Sequence, residues 1–232
     1  MRLTSMVFDV NTAERLEAAS REARAVHRAV LTAFATTGRA PAAATFEPTV
    51  LGELHERDLV RLDASGAIAV AYPFSAVPTN HRVDIGGGPT VFSMCAIDAL
   101  GVGAMIGRQT TVRSVDPHTR ETVTVEITGG KPRWMPRSAV VFVGVIGTAE
   151  DCCQPTPSVD RCCGVLNFFA DEDNAAAWHH DRPDVTGAVV DQARAYELGV
   201  AAFGSLLDAQ PDAKAHRPAI DQAARLRPEG AQ

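Results

Sequence analysis

The sequence contains no apolar run long enough to span a membrane, and Asp9 stands where a signal peptide would continue its apolar region. Both observations predict a cytoplasmic protein with no membrane partner. A basic excess is also missing. Lys and Arg number 22 against 28 Asp and Glu, a formal net charge of -6, which argues against a nucleic acid held by charge alone. The glycine run Gly86-Gly87-Gly88 is not followed by the lysine of a phosphate loop, so it predicts a turn and no nucleotide site. No internal repeat is visible. The cysteines do not make a secreted disulfide framework, because there are five of them and four fall in two doublets, Cys152-Cys153 and Cys162-Cys163. In a reducing compartment such clusters more often serve metals or catalysis. Their spacing is not the C-x-x-C of a zinc site.

What is present is enough apolar material for a sizeable core, 46% of 232 residues. Residues 11–37 have helical spacing, with Asn11 or Thr12 as cap and Gly38 as stop. A short helix is expected over Phe46–Leu54, with Pro48 in its first turn. Leu59–Asp63 and Ala67–Tyr72 read as a hairpin about Ser65-Gly66. Helices followed by a small hairpin spell a winged-helix-like unit. A DNA-reading helix needs several basic residues, whereas residues 46–58 hold one arginine and the acids Glu47, Glu53, Glu56 and Asp58. A structural or substrate-covering role is therefore favoured over DNA binding.

After a linker-like stretch at 73–78, strands are expected at His81–Ile85, Thr110–Val115 and Thr122–Ile127. Ala139–Ile146 and Gly164–Phe169 read as buried strands. Helices follow from about Ala170 through Trp178 and over Gln192–Leu207. His179 and His180 are expected as exposed helix-end residues. The fold class is α+β: a winged-helix-like domain at 1–78, then an α/β core at 79–210 with a mixed or antiparallel sheet flanked by helices. The residues from 211 onward form a polar tail.

The chemistry concentrates in Thr90–Gly101. Cys95 and Asp98 lie three apart in an apolar segment, and on a helix such residues share a face. A thiol beside a carboxyl pairs a soft nucleophile with a proton carrier. Burial would raise the carboxyl pKa and keep its acid form accessible. Tyr72 and Phe74 are candidates for the same pocket or for the core.

The motifs Met94-Cys95-Ala96-Ile97-Asp98-Ala99-Leu100, Ile106-Gly107-Arg108, Cys162-Cys163 shortly before Asn167-Phe168-Phe169-Ala170, and Trp178 give residues 72–207 a resemblance to the organomercurial (alkylmercury) lyase family. The resemblance implies protonolysis of a carbon–mercury bond, giving a hydrocarbon and Hg(II), as in mercury resistance and detoxification. It implies Cys95 and a second cysteine as mercury ligands, with Asp98 at the metal as proton carrier. Counting back from Phe168-Phe169 without a gap makes the second cysteine Cys163. Aligning the doublets makes it Cys162, at the cost of a gap in an expected strand, where a one-residue slip flips every side chain; Cys163 is preferred. Cys152 and Cys153 are extra to the family pattern and are candidates for capturing or handing on mercury. No cofactor is implied. Hg(II) would leave as bound product to external thiols or a mercuric reductase. The rival readings are action on another thiol-reactive or organometal(loid) substrate, and a winged-helix thiol metal sensor.

Overall fold

A computed structural model describes residues 12–147 and 157–207. Cys152, Cys153 and the expected tail lie outside the described residues. Among those described, no helix is long and apolar enough to cross a membrane.

The single helix expected over 11–37 is two helices, α1 (Thr12–Glu17) and α2 (Arg21–Thr37). Ser20 explains the break. Its Oγ accepts from the Ala23 amide at 3.1 Å, capping α2. The Glu53 carboxylate takes the Ser20 amide and hydroxyl at 2.8 and 2.7 Å. A serine that bonds backbone locally competes with helix continuation. Gly38, at φ 75°, ends α2 and donates its N–H to Phe34. Pro48 opens α3 (Pro48–Glu56).

The strands are β1 (Val60–Leu62), β2 (Ile68–Ala71), β3 (Phe74–Ser75), β4 (His81–Ile85), β5 (Thr90–Ser93), β6 (Thr110–Val115), β7 (Thr122–Thr128) and β8 (Lys131–Met135). They form one sheet in the order β1-β2-β3-β5-β4-β6-β7-β8. A second sheet, β10-β9-β11, is built from β9 (Val140–Ile146), β10 (Asn167–Phe169) and β11 (Val185–Val190). Every strand pairing among the described residues is antiparallel. The architecture is α+β. The segment expected as a linker contains β3, which pairs with β2 on one side and β5 on the other. The hairpin is thereby continuous with the large sheet, and Phe74 stacks on Phe34 of α2 at 5.2 Å. The two-residue length of β3 hid it from periodicity.

Three further helices are α4 (Ala96–Ile106), α5 (Glu172–His180) and α6 (Gln192–Phe203). α4 is buried on nearly every face, which is why its sequence shows composition rather than an amphipathic stripe. It packs on β4, β5 and β6 and on α6. The α4–α6 crossing is close because Gly101 meets Gly199 there. A Cβ at Gly101 would lie 2.5 Å from the Gly199 carbonyl oxygen and 2.6 Å from the Phe203 ring. Gly101→Ala must push the helices apart and is expected to cost about 1–3 kcal/mol, measured by denaturant unfolding. An unchanged midpoint would mean the crossing is looser than described.

Candidate functional site

β5 lies inside the sheet between β3 and β4, so its end is held from both sides. Two residues later Cys95 begins α4. It is the N-cap, with extended backbone (φ -151°, ψ 178°), and its Sγ accepts from the Asp98 amide at 3.4 Å. The i, i+3 relation expected on a helix face is therefore a capping relation, with the sulfur facing the helix N-terminus and Asp98 in the first turn. The Ala96 amide donates to the Leu166 carbonyl at 3.0 Å, which ties this start to the segment behind the second cysteine doublet.

That doublet is not at the entrance of a strand. Val159–Cys163 form a π-helical turn, and β10 starts only at Asn167. The alternation of strand side chains thus has no bearing on choosing between Cys162 and Cys163, which helical rotation presents to the same cavity. The Cys162 Sγ also donates to the Ser158 carbonyl at 3.3 Å. The Cys163 thiol shares one cavity with those of Cys95 and Cys162.

Cys95, Asp98, Cys162 and Cys163 line one small cavity. Tyr72, Leu166 and Phe203 supply its apolar wall, and Thr12, Arg15 and Ser158 its polar side. Cys95 is 2% exposed, Asp98 3% and Cys163 5%; Cys162 is half-buried. The space is about 20 Å³, room for one water. A larger open hollow of about 400 Å³ lies between α2 and the end of α4, but its lining holds no thiol, carboxylate or imidazole.

Burial governs the protonation states. It pushes the Cys95 thiol up to about 11, opposed by the hydrogen bond from Cys163. Hydrogen bonding to Cys162 and Cys95, together with burial, holds the Cys163 proton well past the usual thiol range. Desolvation raises Asp98 to about 7, partly offset by its hydrogen bond with Cys95. The Asp98 Oδ2 has no hydrogen-bond partner among the described residues. A carboxyl balanced near neutrality beside thiols can take a proton and give it back. Among the described residues, no three His, Cys, Asp or Glu side chains form a ready-made metal shell.

The sequence signals that led to Cys95, Asp98 and the second doublet converge here. Tyr72 joins them; Phe74 belongs to the core. His180 is exposed as expected, whereas His179 is half-buried against Phe142 at 4.8 Å and bonded to the Val185 carbonyl. Trp178 packs on Phe142 and Phe169. Thr12, Arg15, Ser158, Leu166 and Phe203 had no local pattern to mark them, because they come from distant segments.

Three thiols and a near-neutral carboxyl around one small, largely buried cavity define a site for a soft electrophile with its own proton carrier. The comparisons with known proteins agree with that class. The family model for alkylmercury lyase (MerB) matches residues 74–204, more than half of the chain. The protein belongs to the alkylmercury lyase family. An alkylmercury lyase from Staphylococcus epidermidis is 29% identical over 140 residues, 60% of this chain. The aligned stretch spans 61% of that relative's length. The crystal structure of the mercury-bound form of MerB2 superposes with a TM-score of 0.69 at 20% identity, over 84% of this chain and 96% of that one, and shares the fold.

Proposed function

We propose that the protein is an organomercurial lyase, cleaving the carbon–mercury bond of alkyl or aryl mercury compounds. The observation that carries this reading is the joining of Cys95, Asp98 and the Cys162-Cys163 turn in one buried cavity. Mercury is a soft acceptor and thiolate its matching ligand. Cys95 gives up its proton to the Asp98 carboxylate and its sulfur binds mercury, displacing the ligand opposite the organic group. The Cys163 thiol passes its proton to the displaced ligand as that ligand leaves and adds the second sulfur, which raises electron density on the metal. Asp98 then delivers its proton to carbon. The electron pair of the carbon–mercury bond becomes the new C–H bond, and mercury stays Hg(II) throughout. The balance needs no redox cofactor. Cys163 is preferred as second ligand because it is buried with Cys95 in the same cavity, whereas Cys162 is only half-buried; Cys162 is the alternative.

The helices and hairpin before residue 78 follow a winged-helix-like order. We read them as a cover over the part beyond residue 79, since Thr12, Arg15 and Tyr72 reach the cavity from there. A space of about 20 Å³ does not hold a phenyl group, so this cover must shift for substrate to enter. Hg(II) would leave to external thiols or a mercuric reductase.

The test is phenylmercury with excess thiol, with benzene as the readout. No benzene under reducing conditions would sink the reading. Comparing Cys163→Ser with Cys162→Ser assigns the second ligand. Cys163→Ser is expected to lose at least a hundredfold in turnover and Cys162→Ser less than tenfold; the reverse ranking would give the role to Cys162.

A further inference from the structure

Asp58 belongs to no motif and lies in the turn between α3 and β1, at φ 52°. That left-handed conformation is one aspartate tolerates better than most residues. Its carboxylate gathers groups from three distant parts of the chain. Oδ2 accepts from Arg15 Nη1 at 2.9 Å, from the Ser158 amide at 2.9 Å and from the Ser158 hydroxyl at 2.7 Å. Oδ1 accepts from the Tyr72 hydroxyl at 3.4 Å, and that hydroxyl accepts from the Val159 amide at 3.0 Å. Ser158 is the N-cap of the π-helical turn but makes no side-chain cap of its own. The opening amides of this turn therefore depend on Asp58, one directly and one through Tyr72. Unpaired amides at a helix start favour an anion. The turn they open carries Cys162 and Cys163.

We infer that Asp58 is a positioning residue: from a hundred residues away in sequence it caps the turn that holds the second thiol and so sets that thiol's place opposite Cys95. The inference rests on the lyase reading for its catalytic consequence but not for its geometry. Arg15 shares the clamp by bonding both Asp58 and the Ser158 hydroxyl, the latter at 3.3 Å. The same carboxylate thus joins the cover helix α1 to the thiol turn.

The test uses the full chain carrying Cys152→Ser and Cys153→Ser, so that Hg(II) reports on the cavity. Two readouts are taken for Asp58→Ala and Asp58→Asn: benzene release from phenylmercury, and Hg(II) retention against a competing dithiol. Asp58→Ala is expected to lower kcat at least tenfold with a smaller change in KM, since a small misplacement of a reacting group is costly. Its Hg(II) retention should fall about tenfold as the two sulfurs cease to act together. Asp58→Asn keeps one acceptor and should recover part of both. The effects of Asp58→Ala and Ser158→Ala should combine non-additively. Unchanged kcat and Hg(II) retention in Asp58→Ala, or losses that track only a lowered Tm, would overturn the clamp. A parent protein that retains Hg(II) no better than its Cys95→Ser variant overturns it as well. A parent that retains Hg(II) but releases no benzene defeats the lyase reading alone, because Hg(II) retention still reads the clamp.

Discussion

Replacing Asp98 with asparagine is expected to reduce carbon–mercury cleavage by about 10²–10⁴-fold, the usual worth of a positioned proton carrier, while Hg(II) binding persists. Asparagine fills the same space but has no proton to accept and return. The same change should alter how stability responds to pH. Burial raises the Asp98 pKa from 3.8 to about 7. Between those values the folded protein binds more protons than the unfolded chain, so stability falls as pH rises through this window and levels off above it. At about 1.4 kcal/mol per tenfold change, the gap costs roughly 4 kcal/mol at pH 8. Asparagine removes that cost but leaves a buried amide imperfectly paired, a penalty of about 1–3 kcal/mol. Asp98→Asn should therefore be more stable than the parent at pH 8 and lose that advantage near pH 4. Denaturant midpoints across pH 4–8 test this. Parallel curves would mean that Asp98 is better solvated than its burial indicates, and cleavage by the Asn protein would remove it from the proton path.

Cys95→Ser should abolish cleavage and at least a hundredfold of Hg(II) affinity, yet leave the fold intact. The reason is local. Cys95 is the N-cap of α4, and serine is among the preferred residues for that position. Its shorter oxygen can take the Asp98 amide that the sulfur holds at 3.4 Å. The loss would then be chemical, since a hydroxyl is a poor partner for a soft metal. A Tm within a few degrees of the parent, with no benzene and no retained mercury, is the expected result. Turnover by Cys95→Ser would require a different attacking sulfur.

Much of the chain carried local signals strong enough to read. Alternating β-branched residues marked β6 and β7, Pro48 marked the start of α3, and apolar runs marked β9 and β10. The elements that escaped were those whose stability is not local. β3 has two residues and exists because β2 and β5 flank it. β5 sat in an apolar stretch whose composition did not separate strand from helix. The division of the N-terminal helix came from Ser20 meeting Glu53, a contact across 33 positions.

For the site, the candidate groups could be named from the chain alone: a thiol and a carboxyl three residues apart, and a second pair of thiols before Phe168-Phe169. Their chemistry follows from residue type, which needs no fold. Their placement came from the tertiary fold. It made Cys95 a helix cap rather than a face residue, because the sheet ends two residues before it. It buried Asp98 without a full set of partners, and desolvation is a property of surroundings that no neighbouring residue specifies. It also brought Asp58 onto the thiol turn. A hydrogen-bonded carboxylate that joins three separate segments leaves no pattern in any one of them.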